Sequence, residues 1–289
     1  MPAGQPFTAL CQTAFRLARN GRADLHVHTT ASDGTYTPEQ AADVARLVGL
    51  SALAITDHDS LAGVAAARAA AAPGLEIIAG VEITAEDAGR EVHILGYFVR
   101  CDDAALAAAL DGLRRRRRDR FLEMAERLRR NGARVDLETL PSEFGGRSLG
   151  RRNLAALLCR SGVVGSIREA FDRYLHDGGP ADVPKSRLAL EEAFARVREA
   201  GGVVSLAHPP ADLDFAQLTA LRQRGLQAIE SEYPTHRTAR TRELRDWASK
   251  LGMAITGGSD CHGPQHPHRG IGCRSVTAEE LDALRNQVV

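Results

Sequence analysis

Short apolar runs alternate with alanine-rich helical stretches along most of the chain, and this alternation limits the folds open to it. Seven runs are interpreted as strands, at 24–28, 52–56, 76–83, 92–99, 203–207, 226–230 and 253–256. Helical stretches lie between them, at 38–48, 61–71, 190–200 and 238–251. Strands that alternate with helices form βαβ units and a parallel sheet. We therefore expect an α/β protein with a closed or nearly closed barrel, whose ligands bind beyond the carboxyl ends of the strands.

One segment, residues 101–186, interrupts the alternation. It is predicted to form helices at 104–131, 151–161 and 166–174. We expect a small helical subdomain inserted over the mouth of the barrel. Residues 22–100 and 187–289 would then form the barrel domain, and residues 1–21 an N-terminal extension. Five consecutive arginines, Arg114–Arg118, cannot share one helix face, so a solvated surface is favoured there over a nucleic-acid contact.

Charge and cysteine content exclude several classes of protein. The chain has 37 basic and 37 acidic residues, which argues against a surface built for duplex DNA or anionic membranes. No apolar run approaches the roughly 20 residues of a membrane span. The five cysteines are scattered without a C-x-x-C pair, which indicates reduced thiols and a cytoplasmic protein.

Metal-binding side chains follow or begin most of the predicted strands. The first cluster holds His26 and His28, and alternate residues of a strand point to the same side, so the two imidazoles project together. The other candidates are Asp33, His58, Glu82, His93, His208, Asp260 and His262. A buried core histidine explains any one of these clusters, but it does not explain six of them with acids alongside.

The candidate ligands are imidazoles and carboxylates without thiolate. This combination suits Mn²⁺, Fe²⁺ or Zn²⁺. Nine ligands are too many for one ion and about right for two or three. Neighbouring ions can generate a bridging hydroxide and neutralise phosphoryl charge. The sequence has no P-loop and no G-x-S-x-G motif. We therefore expect hydrolysis by a metal-bound hydroxide, without a single catalytic side chain.

Six motifs occur in order between residues 22 and 274. They are D-L-H-V-H-T-T-A-S-D-G, I-T-D-H-D, G-V-E-I, V-H-I-L-G-Y, L-A-H-P and G-G-S-D-C-H-G. This set resembles the PHP (polymerase and histidinol phosphatase) family of metal-dependent phosphoesterases. The resemblance implies a distorted (β/α)7-type TIM-like barrel with a trinuclear centre, Mn²⁺ being the first expectation. The implied ligands are His26, His28, Glu82 and Asp260 for one ion, Asp33, His58 and His262 for a second, and Glu82, His93 and His208 for the third.

Two further segments, at 170–185 and 232–236, resemble the branch with nucleoside 3′,5′-bisphosphate phosphatases and 5′→3′ exoribonucleases. The implied reaction is removal of the 3′-phosphate from a nucleoside 3′,5′-bisphosphate, such as pAp to AMP, with short single-stranded RNA as a second substrate. Candidate substrate-binding residues are Arg151, Lys185, His236, Arg269 and Asn153. Asn153 stands where the branch has histidine, and asparagine cannot supply a proton near neutral pH.

Other functions remain open at the level of sequence. A histidinol-phosphate phosphatase would use the same metal centre. The ligands alone also allow a metal-dependent deacetylase. A non-catalytic PHP-type binding module is the alternative of another class, but it predicts lost ligands, and here every expected ligand position is filled.

Overall fold

The sheet of this protein is mixed and bends almost into a ring. The computed structural model describes residues 21–135, 149–185, 187–265 and 268–288. The strands in these ranges are β1 (Arg22–Asp24), β2 (Ala52–Ile55), β3 (Glu76–Asp87), β4 (Arg90–Tyr97), β5 (Leu188–Ala189), β6 (Val203–Leu206), β7 (Ala228–Glu232), β8 (Ala254–Gly257) and β9 (Val276–Thr277). Their order in the sheet is β8-β7-β6-β4-β3-β2-β1-β9, with β5 beside β3.

Contacts between β1 and β8 nearly close this sheet into a barrel. The Leu25 N–H, just after β1, donates to the Gly257 carbonyl of β8 over 3.1 Å. Val27 forms a parallel bridge with Cys261 beyond the ends of both strands. Strand β2 is buried along its whole length, which is typical of parallel strands covered on both faces. The predicted α/β barrel is confirmed.

The helices of the described ranges flank the sheet and form the insertion. They are α1 (Pro38–Leu47), α2 (Ala62–Ala70), α3 (Ala104–Arg130), α4 (Arg151–Arg160), α5 (Ile167–Ala170), α6 (Leu190–Glu199), α7 (Phe215–Gln223), α8 (Thr238–Lys250) and α9 (Ala278–Arg285). Helix α1 begins with a capping box in which Thr37 and Gln40 exchange side-chain and backbone hydrogen bonds, with Pro38 in the first turn. No helix in these ranges is long and apolar enough to cross a membrane.

Strand β4 departs from the predicted parallel arrangement. It runs antiparallel to both β3 and β6. The β3–β4 hairpin turns at Ala88 and Gly89, whose φ angles of 49° and 81° suit a two-residue hairpin turn. The expectation of an all-parallel sheet is wrong here, because so short a connection can join only antiparallel strands. Ala-Gly is a weaker turn signal than Asn-Gly or Asp-Gly, so the sequence gives little warning of the hairpin.

The first strand is also shorter than predicted. β1 ends at Asp24, so His26 and His28 lie in the segment that follows it. That segment is still extended at Val27, which forms the bridge to Cys261. The two imidazoles therefore project together as expected, with ring centroids 5.2 Å apart. The two-residue strands β5 and β9 are too short to be recognised by pattern.

The insertion has a hydrophobic cluster of its own, and α3 joins it to the barrel. The first half of α3 contributes Leu106, Leu110 and Leu113 to the barrel core. Its second half packs with α4 through a separate cluster that includes Phe121 and Leu154. Helix α5 continues directly into a π-helical turn, Phe171–Leu175. We propose the inserted subdomain as a folding unit on this basis, and its boundary at residue 101 stays a prediction. Residues 1–20 of the expected extension lie outside the described residues.

The two cores can be tested separately by truncating one leucine in each. Leu154→Ala removes a fully buried side chain from the insertion cluster, at an expected cost of about 2–5 kcal/mol. We expect faster amide hydrogen exchange, measured by mass spectrometry, in 149–185 and the second half of α3. The amides of the barrel strands should keep their protection from exchange. The control variant Leu53→Ala should instead speed exchange in those strands. Equal loss of protection in β2 and β3 after Leu154→Ala would contradict a separate unit.

Candidate metal centre

The nine predicted metal ligands lie together at one end of the barrel. Most follow strands directly, but Glu82 lies inside β3 and His93 inside β4, on the two arms of the antiparallel hairpin. The others are His26 and His28 after β1, Asp33 in the next loop, His58 after β2, His208 after β6, and Asp260 and His262 after β8. The structure thus brings together the whole predicted set, from segments far apart in the chain.

The carboxylate of Glu82 is the centre of this arrangement. It is 1% exposed, and five imidazoles surround it. Three ring nitrogens lie 3.1 to 3.5 Å from its Oε2 atom, and two lie 2.8 and 3.0 Å from Oε1. The first three belong to His26, His28 and His58, and the last two to His93 and His208. One carboxylate therefore contacts predicted ligands from four different segments of the chain.

Asp260 and Asp33 complete the cluster on the side of His28. The Oδ1 atom of Asp260 lies 3.3 Å from His28 Nε2 and 3.6 Å from His26 Nε2. The Oδ1 atom of Asp33 lies 3.3 Å from His262 Nε2 and 3.8 Å from His28 Nδ1. His28 therefore faces a different carboxylate with each of its ring nitrogens.

Three groups within the cluster each bring one atom per residue to within 4.8 Å of one another. They are His28, Asp33, His58 and His262; His26, His28 and Glu82; and His58, Glu82 and His93. The groups overlap at His28, His58 and Glu82, which favours neighbouring ions over separate sites. The third group contains His58 where the resemblance implies His208, although His208 also contacts Glu82 over 3.0 Å. The assignment of each ligand to an ion stays a prediction.

Buried atoms without hydrogen-bond partners show that these residues fit metal ions. They include His26 Nε2, both ring nitrogens of His28, His58 Nδ1 and Asp33 Oδ1. A buried polar group left unpaired costs about 1–3 kcal/mol. Lone pairs of imidazole and carboxylate that converge on one space need a cation to satisfy them. The donor set is that of a divalent transition-metal site.

Protons supply the positive charge of the site when metals are absent. Burial lowers the pKa of His28, but the nearby carboxylates of Asp260 and Glu82 outweigh it and raise that pKa to about 10. Burial likewise opposes the charge on His93, and Glu82 and Glu91 raise its pKa to about 9. Burial raises the pKa of Glu82, but the surrounding histidines hold it well below its ordinary value. The metal-free site therefore contains ionised Glu82 facing protonated His28 and His93, whereas burial holds the pKa of His58 well below its ordinary value.

Buried carboxylates that were not predicted as functional hold the ligand-bearing loops in place. Asp57 accepts hydrogen bonds from the Thr29 N–H and hydroxyl, both over 2.7 Å, and from the Ser32 hydroxyl over 2.6 Å. It thereby holds the loop that carries Asp33. Asp24 accepts from the Ser259 N–H next to Asp260 over 2.9 Å. Asp57 directly precedes His58 in the sequence, and Asp24 lies two residues before His26. This closeness to predicted ligands was the feature by which the sequence could have identified both aspartates.

A cavity of about 250 Å³ lies between the metal cluster and the insertion. Its barrel side includes Asp33, His58, His93 and His262, and its insertion side includes Arg117, Arg120, Arg151 and Lys185. Burial lowers the pKa of Arg120 to about 10, helped by the charges of Arg151 and Arg117. The crowded positive charge faces the metal cluster across a space suited to a small anion.

Two of the predicted substrate-binding residues, Arg151 and Lys185, line this cavity. Arg151 donates to Asp177 over 2.5 Å and to the Leu175 carbonyl over 3.1 Å. Lys185 donates to Glu91. Glu91 also contacts His93 Nε2 over 3.3 Å, so the lysine is linked to the metal cluster.

The other three predicted substrate-binding residues have different partners. Asn153 Oδ1 accepts from the Gly150 N–H over 2.8 Å and so caps the start of α4. His236 contacts the Ser231 carbonyl over 3.0 Å and lines a separate cavity of about 550 Å³ with His208. Arg269 donates to Asp260 Oδ2, on the side of that carboxylate away from the histidines. Their roles in substrate binding stay predictions.

Arg117 lines the cavity beside the metal cluster, and sequence reasoning missed it. The solvated surface predicted for the arginine run holds for Arg115, Arg116 and Arg118, which are exposed, but it is wrong for Arg117. The guanidinium of Arg117 pairs with Asp59 over 2.6 Å and donates to Thr84 over 2.7 Å. The insertion thus reaches the residue that follows His58. In a five-residue run, the helical period requires some side chain to face inward, and this was the signal.

Comparison with known proteins agrees with this site. The PHP domain profile matches residues 24–110. The phosphoribosyl 1,2-cyclic phosphate 1,2-diphosphodiesterase of Eggerthella lenta is 36% identical over 256 residues, 86% of this chain and 97% of that protein. The 3′,5′-nucleoside bisphosphate phosphatase of Chromobacterium violaceum is 32% identical over 263 residues, 86% of this chain and 90% of that protein.

A solved structure agrees as well. A Bifidobacterium adolescentis protein, described as a metal-dependent phosphoesterase, superposes with a TM-score of 0.86 at 29% identity, covering 94% of this chain and 97% of that one. The chain is a metal-dependent phosphoesterase, a hydrolase with a barrel fold. It belongs to the PHP family.

Metal binding should release protons. His28 and His93, with pKa values raised to about 10 and about 9, are protonated at pH 7.5 in the metal-free protein and must lose those protons to bind metal. We expect release of about two protons or more per chain saturated with Mn²⁺, and tighter binding as pH rises. Titration calorimetry in buffers of different ionisation enthalpy measures this number. The exposed His176→Asn variant should not change it, and binding without proton release would contradict the protonated site.

Proposed function

We propose that the enzyme hydrolyses the 3′-phosphate of nucleoside 3′,5′-bisphosphates, such as pAp to AMP. The observation that carries the proposal is the cavity between the metal cluster and five cations of the insertion, Arg117, Arg120, Arg151, Arg152 and Lys185. In this proposal the phosphoryl group to be cleaved lies at the metals. The second phosphoryl group of the same ribose lies among the cations.

The charges of this cavity support a second phosphate. Arg117, Arg151 and Lys185 are each paired with one carboxylate. Arg120 donates to a carbonyl, that of Val183, over 2.6 Å. Its lowered pKa reflects burial beside other positive charges. A phosphate dianion would relieve this repulsion, and guanidinium groups bind phosphate through paired hydrogen bonds.

The substrates named for the two relatives share this feature. A nucleoside 3′,5′-bisphosphate and a phosphoribosyl 1,2-cyclic phosphate both carry two phosphoryl groups on one ribose. The cyclic phosphodiester is our second candidate, because the relative that acts on it has the higher identity, 36% against 32%. Histidinol phosphate has a single phosphoryl group and would place no phosphate among these cations, so we rank it lower.

The chain's own residues supply binding and orientation. We propose two or three divalent ions, Mn²⁺ first, held by the nine ligands; when bound, they would activate water and neutralise phosphoryl charge. Arg120, Arg151 and Lys185 would hold the second phosphate and thereby align the ester with the metals. In short RNA, the 5′-phosphate would bind to the same cations, and the first phosphodiester would lie at the metals. We therefore propose 5′→3′ cleavage of short RNA as a second activity.

Substrate comparison tests the function. The Mn²⁺-loaded enzyme is assayed for phosphate release from adenosine 3′,5′-bisphosphate and adenosine 3′-monophosphate, and for hydrolysis of phosphoribosyl 1,2-cyclic phosphate and histidinol phosphate. Two or more charge-assisted hydrogen bonds to the second phosphate, at about 1.5–3 kcal/mol each, predict a kcat/KM about 100-fold or more above that of the 3′-monophosphate. Equal turnover of the two adenosine nucleotides would refute the two-phosphate proposal, and faster hydrolysis of the cyclic ester would favour the second candidate.

The cations can be tested one at a time. Arg120→Ala should raise the KM for adenosine 3′,5′-bisphosphate about 10-fold or more, because it removes a charged partner of the second phosphate. The KM for the 3′-monophosphate should change little. Arg118→Ala is the matched control, since Arg118 is an exposed arginine on the same helix. An equal rise in KM for both substrates would contradict this role. It would indicate that Arg120 contacts the phosphate that is cleaved or is needed for folding.

A further inference from the structure

Glu230 is a buried carboxylate outside the set of nine ligands, and it contacts two of them. It lies on β7 and is 0% exposed. Its Oε1 atom lies 2.9 Å from Nδ1 of His26, and its Oε2 atom accepts from the backbone N–H of His208 over 2.6 Å. The two histidines follow different strands, β1 and β6, so Glu230 links separate parts of the metal centre.

The contact with His26 determines which ring nitrogen can bind a metal. A carboxylate oxygen accepts hydrogen bonds, which assigns the hydrogen of this 2.9 Å contact to Nδ1 of His26. The lone pair of the neutral ring is then on Nε2. That atom is buried without a hydrogen-bond partner and lies 3.5 Å from Glu82 and 3.6 Å from Asp260. Glu230 thus directs the free nitrogen toward the other ligands.

The contact with His208 holds an unfavourable backbone conformation. The φ angle of His208 is +25°, in a region that side-chain-bearing residues rarely occupy. Pro209 follows directly and restricts the backbone of His208 further. The hydrogen bond from the His208 N–H to Glu230 stabilises this turn. This backbone conformation places Nε2 of His208 3.0 Å from Oε1 of Glu82.

We propose that Glu230 is a positioning residue that fixes the tautomer of His26 and the backbone of His208 at the same time, and so sets the metal affinity of the site. The inference rests on the proposed metal ligands. Hydrogen bonds of this kind, from a carboxylate to the far nitrogen of a ligating histidine, orient the ring and tune metal binding.

Glu230→Gln is a sharp probe because both partners of Glu230 are donors. Glutamine has the same shape but offers one acceptor and one pair of donor hydrogens. Whichever way the amide turns, one of the two contacts sets donor against donor. The conflict at His26 is relieved only if its proton moves to Nε2, where it blocks the metal. We therefore expect Mn²⁺ affinity to fall about 10- to 100-fold.

Metal affinity, measured by competition with a chelator, is the readout, with bound Mn²⁺ per chain measured in parallel. The matched control is Glu232→Gln, two residues further along β7, where the carboxylate pairs with Arg245 over 3.0 Å. We expect the control to bind Mn²⁺ as the wild type does. Circular dichroism and thermal melting establish that each variant is folded.

Glu230→Asp separates positioning from packing. Aspartate keeps both acceptors but is shorter, so a residue that only fills space would tolerate Gln better than Asp. We expect the Asp variant to bind Mn²⁺ more tightly than the Gln variant. Wild-type affinity in Glu230→Gln, or weaker binding by Asp than by Gln, would overturn the inference and leave the proposed function standing. A wild-type protein that binds no metal would overturn both.

Discussion

A single buried carboxylate, that of Glu82, holds the active end of this protein together. Five imidazoles from four segments of the chain surround it within 3.5 Å. Neither the carboxylate nor the charged imidazoles would be stable alone in this buried position, because a buried charge needs compensation by opposite charge. The barrel therefore closes around a buried cluster of carboxylates and imidazoles, which joins the ends of its strands.

The antiparallel hairpin explains how Glu82 reaches that position. In a uniformly parallel barrel, ligands come from the loops beyond the strand ends. Here β3 extends for 12 residues, past the end of its neighbour β2. Its extension pairs with β4, which places Thr84 opposite His93. Two of the nine ligands therefore stand on rigid, hydrogen-bonded backbone, while the others are held by loops that buried carboxylates such as Asp57 support.

The residues that could be predicted were those whose chemistry repeats in a pattern. Alternating apolar runs were enough for the barrel class, and imidazoles and carboxylates in or near the predicted strands were enough to name all nine members of the cluster. The turn at Ala88 and Gly89 could not be predicted, because its sequence is a weak signal for the conformation it adopts. Arg117 was missed for a different reason. Its neighbours in the arginine run are exposed, and only the helix orientation in three dimensions selects it.

The predicted substrate-binding residues also depend on three-dimensional contacts that the sequence does not show. Arg151 and Lys185 were predicted by resemblance and do line the cavity. Asn153 was singled out for its chemistry, yet its side chain is used to cap a helix. Glu230 shows no pattern in the sequence, because its importance comes from two contacts made across the sheet.

Helix α3 has a consequence for how such a protein can diversify. Its first half belongs to the barrel core and its second half to the insertion. The predicted metal ligands all come from the barrel, whereas the cations that face them come from the insertion. Under the proposed function, mutations in the insertion would alter the anions accepted and leave the predicted metal ligands intact. Arg117 is the point where this independence ends, because its ion pair with Asp59 ties the insertion to the barrel beside His58.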